Sequence, residues 1–152
     1  MRKEVKEKNG RKRLWIPTKA EVDLLPDVII IGVSKCGTGS LLLFLDSHPD
    51  FVVAPGEKKF FNTDERYYLG LSEYIRLLPR RKRKDQILVE KTPNYFFKPG
   101  VEKRIHAAIP DVKLLLIVRD PVTRMVSHYV QIREKMKKLN NTLPAFEVGA
   151  KL

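Results

Sequence analysis

Short apolar runs recur along the chain, separated by polar stretches that contain glycine or proline, and they predict four strands. These lie at 27–33, 51–53, 87–90 and 112–118. The first and last runs are continuous rather than alternating, which is typical of strands buried on both faces of a parallel sheet. We therefore expect a sheet with buried strands at its centre.

Helical segments are predicted between and after the strands, at 40–47, 71–78 and 101–109. Asp120 and Pro121 predict the start of a further helix, because aspartate is a good N-cap and proline suits the first helical position. Apolar strands that alternate with helices predict an α/β fold with a mainly parallel sheet.

The first 26 residues differ from the rest because they are rich in charge and lack apolar periodicity. We predict a basic, solvated tail over residues 1–26 and one domain over residues 27–152. A chain of 152 residues with 43% apolar residues is long and apolar enough for a folded core.

Charge changes the picture further, since 30 lysines and arginines stand against 18 acidic residues and give a formal net charge of +12. Such a balance favours a polyanionic partner: a nucleic acid, an anionic membrane or an acidic polysaccharide. Charge alone leaves all three open.

Other residue types limit the chemistry. Cys36 is the single cysteine, which excludes an internal disulfide and a cysteine-based zinc site. The histidines His48, His106 and His128 lack metal-ligand spacing, so no metal is expected. The sequence has no apolar run of transmembrane length and no signal-peptide pattern at its start. We expect either a cytosolic protein or a piece of a larger one.

Four segments follow the predicted strands, at 34–39, 54–61, 91–95 and 119–127. In parallel α/β sheets, ligands bind beyond the carboxyl ends of the strands. Candidate chemistry is therefore sought in these four segments.

The first of them, from Gly32 to Gly39, has the layout of a phosphate-binding loop. Glycines let backbone N–H groups face an anion, and the following helix adds partial positive charge. Lys35 adds a full charge and Thr38 a hydroxyl. The lysine stands two residues before Gly37, not after it as in GxxxxGK[ST], which argues against an ATPase or GTPase. On this loop alone, a glycine-rich turn with a solvated lysine remains an alternative.

Two motifs resemble those of sulfotransferases. The spacing Lys35-x-Gly37-Thr38-x-x-Leu41 resembles the 5′-phosphosulfate loop of that family. The segment 119–129, RDPVTRMVSHY, is similar to its 3′-phosphate motif RDPxxRxxSxY, and a guanidinium offers phosphate a fork of donors. The segments 47–50, 59–61, 89–96 and 104–106 further resemble the heparan sulfate glucosaminyl 3-O-sulfotransferases, and the likeness extends over about residues 26–139.

The resemblance implies a P-loop-like parallel sheet flanked by helices. It also implies an enzyme that moves a sulfuryl group from 3′-phosphoadenosine 5′-phosphosulfate (PAPS) to a glucosamine residue of heparan sulfate. The expected acceptor is the 3-hydroxyl, and the expected location is the Golgi lumen. The residues implied for PAPS binding are Lys35, Cys36, Gly37, Thr38, Gly39, Ser40, Arg119 and Ser127.

Three residues match catalytic positions of the family. Glu57 matches the proposed base, Lys35 the lysine that neutralises the leaving phosphate, and Lys91 a lysine near the reacting centre. Glu90, beside Lys91, can be an ion-pair partner or a strand-end acid, and the sequence assigns it no role.

Some positions depart from the family pattern. Lys59 and Asn62 stand where the 3-O-sulfotransferases usually carry histidine and aspartate. Ser34 and Gly39 replace arginines that are common in many members. Cys36 replaces a glycine, which impairs the loop if that position needs a positive φ. The family domain also continues beyond the matched part, so we expect a sheet that is incomplete at its C-terminus.

Two other function classes stay open. An impaired or truncated relative that binds nucleotide or heparan sulfate is compatible with Lys59, Asn62 and the basic run 80–84. A nucleic-acid-binding protein has the charge in its favour but no recognisable readout motif. We therefore expect an acidic polysaccharide, rather than nucleic acid, as the partner.

Overall fold

The computed structural model of the protein describes residues 4–5, 14–141 and 146. The strands are β1 (Glu4–Val5), β2 (Leu14–Trp15), β3 (Val28–Gly32), β4 (Phe51–Val53), β5 (Ile87–Lys91) and β6 (Lys113–Leu116). The helices are α1 (Lys19–Val22), α2 (Thr38–Asp46), α3 (Asp64–Tyr67), α4 (Leu71–Arg76), α5 (Val101–Ala108) and α6 (Pro121–Lys138). A 3₁₀ turn at Pro93–Tyr95 follows β5.

Four of the strands form one parallel sheet in the order β4-β5-β3-β6. Val28 in β3 pairs with Val89 in β5 and with Lys113 in β6, and Phe51 in β4 pairs with Ile87 in β5. The predicted α/β fold, a parallel sheet flanked by helices, is confirmed. Because the four strands run in the same direction, their carboxyl ends meet at one edge of the sheet.

The last predicted strand is exposed rather than buried. β6 lies at the end of the strand order, and the side chains of Leu114 and Leu116 are 52% and 41% exposed. Val118, just beyond it, is 70% exposed. The apolar run predicts a strand correctly, but an apolar run does not say whether a neighbour covers it, and no described element does.

The core joins the sheet to α3, α4 and α5 through a group of aromatic rings. Phe60 stacks on Tyr74 with ring centroids 4.7 Å apart, and Phe61 meets the edge of Tyr95 at 5.7 Å. All four side chains are buried. These contacts anchor the irregular segment between β4 and α3, which carries Glu57.

The predicted solvated tail is packed against the domain over part of its length. β1 pairs with β2 in an antiparallel arrangement, and α1 follows. The indole N–H of Trp15 donates to the carbonyl of Tyr67 at 2.7 Å, and Leu25 is only 2% exposed in the core. Isolated large apolar residues such as these form no periodic pattern, which is why the sequence predicted a tail.

Two arginines of the basic run 80–84 have partners inside the protein. Arg81 donates to Asp27 at 2.6 Å and to the carbonyl of Leu25 at 2.9 Å. Arg83 donates to Asp50 at 2.6 Å. Asp27 and Asp50 directly precede β3 and β4. The two arginines therefore bind at the amino-terminal edge of the sheet, opposite the edge where ligands are expected.

Among the residues that the structure describes, no helix is both long enough and apolar enough to cross a membrane.

Candidate active site

A cleft of about 370 Å³ opens at the carboxyl ends of the parallel strands. Its walls come from the four segments that follow those strands. The lining residues are Ser34, Lys35, Gly37, Thr38, Gly39, Ser40, Glu57, Lys91, Pro93, Arg119, Ser127 and Gln131. The structure therefore brings together every predicted site residue except Cys36. A larger cleft of about 530 Å³ beside Arg81 contains none of them, so the smaller cleft is the candidate site.

The phosphate loop gets its shape from two residues with left-handed backbone. Lys35 has φ 70°, and Gly37, the N-cap of α2, has φ 90°. Cys36 lies between them and is not among the described residues with positive φ, so its position does not require a glycine. Its side chain is only 8% exposed, with Sγ 3.9 Å from the carbonyl of Ser34. Cys36 is not among the residues that line the cleft, and its predicted part in PAPS binding stays a prediction.

The first turn of α2 leaves room for an anion. A Cβ atom built on Gly39 meets nothing within 4 Å, so open space faces this turn. The helix has nine residues, and the N–H groups of a helix's first turn have no partner within it. Free amides and the helix dipole together make this end of α2 suited to a phosphate or sulfate group.

Gly32 sets the close approach of β3 to the turn after β5. A Cβ atom at Gly32 would lie 2.8 Å from the Cβ of Phe96, closer than two side chains can come. The amides of Thr92 and Phe96 donate to the carbonyls of Ile30 and Ile31 at 3.1 and 3.0 Å. This contact places Lys91 and Pro93 beside the phosphate loop.

Arg119 and α6 form the opposite wall. The guanidinium of Arg119 donates to the carbonyl of Lys35 at 3.2 Å, so the two predicted phosphate motifs touch. Asp120 caps α6 by accepting from the backbone N–H of Thr123 at 2.8 Å, and this hydrogen bond lowers the pKa of Asp120. The cap fixes the start of α6, and Ser127 faces the cleft from its second turn.

Glu57 lies between two lysines at the cleft wall. Its Oε1 is 3.3 Å from Nζ of Lys91, and its Oε2 is 3.8 Å from Nζ of Lys59. The Lys91 side chain is 15% exposed, so its charge is largely removed from water and acts strongly on its neighbours. The predicted base and the predicted reacting-centre lysine are thus in contact.

Glu90 is not an ion-pair partner of Lys91. Successive side chains of a strand point to opposite faces, and Glu90 is completely buried while Lys91 reaches the cleft. Burial raises the pKa of Glu90 to about 7, because the Thr92 hydroxyl and the backbone and charge of Lys58 only partly offset the loss of water. The negative charge of Glu57 adds to the rise.

Three lining residues had no role predicted from the sequence: Ser34 and Pro93, which lie in the candidate segments, and Gln131, which lies outside them. Gln131 follows Ser127 by four positions, which places both on one face of α6. That spacing could have identified it. Pro93 had no chemical signal, because it lines the cleft only through the approach of the 3₁₀ turn to β3.

Comparison with known proteins is consistent with this geometry. The Sulfotransferase domain matches residues 25–149 of the chain. Heparan sulfate glucosamine 3-O-sulfotransferase 5 of Mus musculus is 43% identical over 126 residues, covering 83% of this chain and 36% of that protein. Heparan sulfate glucosamine 3-O-sulfotransferase 3B1 of Mus musculus is 46% identical over 123 residues, covering 81% and 30%.

A solved structure also matches. The crystal structure of a sulfotransferase from Alicyclobacillus acidocaldarius has a TM-score of 0.66 and 27% identity, covering 81% of this chain and 54% of that one. The chain spans about a third of the length of the curated relatives it matches. With the domain match extending over most of its residues, the chain belongs to the sulfotransferase family.

Proposed function

We propose that the chain forms the donor-binding part of a sulfotransferase that moves a sulfuryl group from PAPS to a glucosamine residue of heparan sulfate, at the 3-hydroxyl. One observation carries the proposal. A phosphate loop, a second arginine-based anion motif and an acid paired with a lysine all line a single cleft. Sulfuryl transfer needs all three in one place.

The residues present fit a phosphosulfate nucleotide. The open first turn of α2 and the ammonium of Lys35 suit the 5′ end, while Arg119 and Ser127 suit the 3′-phosphate. PAPS supplies the sulfuryl group and a phosphate leaving group. Lys35 stabilises the negative charge that develops on the leaving oxygen, which lowers the barrier most when water is excluded.

Glu57 acts on the acceptor. A sugar hydroxyl is a weak nucleophile, and removal of its proton by a positioned carboxylate makes it a stronger one. The acceptor oxygen forms a bond to sulfur as the sulfur–oxygen bond to the 5′-phosphate breaks, and Glu57 keeps the proton. Lys91, 3.3 Å from Glu57, holds the carboxylate at the cleft wall and adds positive charge beside the reacting group.

The charge of the chain and the names of its relatives both support heparan sulfate as the acceptor. A net charge of +12 attracts a sulfated polysaccharide. The relatives of 43–46% identity are named for the 3-O position of heparan sulfate glucosamine. We place the reaction in the Golgi lumen on the resemblance to that family.

A second candidate is a module that binds nucleotide or heparan sulfate without turnover. Lys59, 3.8 Å from Glu57, occupies the position of the family's usual histidine, so both oxygens of the acid lie near ammonium groups. An acceptor hydroxyl must then compete with Lys59 for one of them.

Transfer of labelled sulfate from PAPS to heparan sulfate, measured with the folded chain, separates the two candidates. Incorporation into the glucosamine 3-position supports the proposed enzyme. Binding of adenosine 3′,5′-bisphosphate without incorporation supports the binding module. Absence of both contradicts both.

A further inference from the structure

The carboxyl of Glu90 in β5 is buried beside the segment that carries Glu57. Glu90 is 0% exposed, and its Oε1 accepts a hydrogen bond from the Thr92 hydroxyl at 2.5 Å. Its Oε2 is buried and has no hydrogen bond of ordinary geometry among the described residues, and the Tyr74 hydroxyl and the Lys58 backbone interact with the carboxyl only weakly. Burying a carboxyl costs free energy of folding unless the group is hydrogen-bonded, so its hydrogen bond with Thr92 is structurally significant.

Thr92 has a second partner on the segment that carries the proposed base. The backbone N–H of Lys59 donates to Oγ1 of Thr92 at 3.3 Å. A hydroxyl has one hydrogen and two lone pairs. With its hydrogen given to Glu90, Thr92 turns its lone pairs toward the Lys59 amide.

The backbone at Lys59 needs such support. Its φ is 54°, a left-handed conformation that non-glycine residues rarely adopt without surrounding contacts. The next two amides are also held by a side chain of the same strand-end region, since Phe60 and Phe61 donate to the Tyr95 hydroxyl at 3.1 and 3.5 Å. The backbone amides of residues 59–61 are thus hydrogen-bonded to the hydroxyls of Thr92 and Tyr95.

The same strand end holds the other side of the segment. Lys91 lies between Glu90 and Thr92 in sequence, faces the cleft and pairs with Glu57 at 3.3 Å. Residues 90–92 therefore contact the Glu57 segment on two sides. On the buried side Thr92 accepts a hydrogen bond from the Lys59 backbone, and on the cleft side Lys91 pairs with the Glu57 carboxylate.

We infer that Glu90 and Thr92 are positioning residues that fix the backbone after Glu57, so that its carboxylate faces the acceptor in the cleft. This inference rests on the proposed function, in which Glu57 is the base. Neither Glu90 nor Thr92 lines the cleft, so both act through the Lys59 backbone.

Hydrogen exchange of the Lys59 amide tests the holding step without requiring turnover. Thr92→Val keeps the shape and removes the hydroxyl, and we expect exchange at Lys59 to accelerate about five- to tenfold, as for the loss of one hydrogen bond. Thr92→Ser keeps the hydroxyl and is the matched control, with exchange close to wild type. The amide of Val89 in β5 reports on the fold as a whole.

Exchange at Lys59 that is unchanged in Thr92→Val, or equally fast in Thr92→Ser, overturns the inference. Should Thr92→Val not fold, Thr92→Cys carries the same comparison, because its thiol is a weak acceptor of similar size.

Turnover tests the positioning step. Per folded molecule, Thr92→Val should lower kcat for sulfate transfer roughly 10- to 100-fold with little change in KM, as for a displaced catalytic group, and Thr92→Ser should restore it. A wild-type kcat in Thr92→Val, together with faster Lys59 exchange, shows that Thr92 holds the segment without positioning a base, and overturns the inference. A wild-type kcat in Glu57→Gln instead refutes the proposed role of Glu57, and the exchange result still stands on its own.

Discussion

Lys91 Nζ lies 3.3 Å from Glu57 Oε1, although the two residues are 34 positions apart in the chain. Lys91 ends β5 and Glu57 lies in the irregular segment after β4, and these neighbouring parallel strands deliver both to the same edge of the sheet. The pair therefore follows from topology and not from local sequence. It puts a carboxylate and a positive charge at the edge of the sheet where the phosphate loop lies.

Arg119 is expected to contribute to nucleotide binding. Arg119→Ala should weaken the binding of adenosine 3′,5′-bisphosphate by more than about 1 kcal/mol, because a hydrogen bond between charged groups is lost. Calorimetric titration of the folded variants measures this. Arg133→Ala is the control, since Arg133 is exposed on α6 and does not line the cleft. Equal affinity in the two variants removes Arg119 from the site.

Two glycines beside the cleft should respond in opposite ways to alanine. Gly32→Ala forces its Cβ against that of Phe96 and should lower the free energy of unfolding by roughly 1–3 kcal/mol, the usual cost of overpacking. Gly39→Ala meets open space inside α2, so it should raise that free energy by up to about 1 kcal/mol. It should also weaken nucleotide binding by filling the anion space. Denaturant unfolding gives both energies, and a tolerated Gly32→Ala contradicts the close approach.

Stability should fall as pH rises through the titration of Glu90. Its pKa is about 7 in the folded protein, above the ordinary value of 4.5, so the folded state holds the proton more tightly. The contribution of Glu90 to the free energy of unfolding is fully present below pH 4.5. As the pH rises from there through about 7, this free energy falls by roughly 3 kcal/mol.

Glu90→Gln isolates this effect from other titrating groups that face the site, chiefly Lys58, Glu57, Tyr74 and Tyr95. The variant should be more stable relative to wild type at pH 8 than at pH 5. Urea unfolding at both pH values measures the difference, and a difference that does not change with pH rules out the raised pKa.

The exposed edge strand β6 should promote self-association. Its outer edge has no described neighbour, and Leu114 is 52% exposed, so the backbone groups and apolar side chains can pair with another chain. Leu114→Lys should lower concentration-dependent association seen by light scattering. An exposed lysine substitution away from β6, Leu69→Lys, is the control. Equal association of the two variants would contradict self-association through β6.

The sequence predicted the sheet well because its strands are continuous apolar runs and its phosphate motifs each follow one. It did not predict the packing of Trp15 and Leu25, because single large residues in a charged segment form no period. The exposure of β6 was also missed, since an apolar run carries no information on its neighbours.

The structure brings the predicted site residues other than Cys36 together in one cleft, and their roles stay predictions. Cys36 and Glu90 show what the sequence could not give. Cys36 stands inside the loop, but its side chain is buried and does not line the cleft. The sequence assigned Glu90 no role, and its contacts are buried: its carboxyl accepts from the Thr92 hydroxyl, which in turn accepts from the Lys59 amide. Contacts of that kind depend on side-chain geometry, which motif spacing does not contain.

The most direct test of the account is sulfate transfer by Glu57→Gln. The substitution keeps the shape and removes the proposed base, while the proposed nucleotide contacts of Lys35 and Arg119 stay intact. Transfer of labelled sulfate from PAPS to heparan sulfate, corrected for the folded fraction, should fall by roughly 10²–10⁴-fold, with the affinity for adenosine 3′,5′-bisphosphate nearly unchanged. A wild-type rate per folded molecule in Glu57→Gln would contradict the assignment of Glu57 as the base.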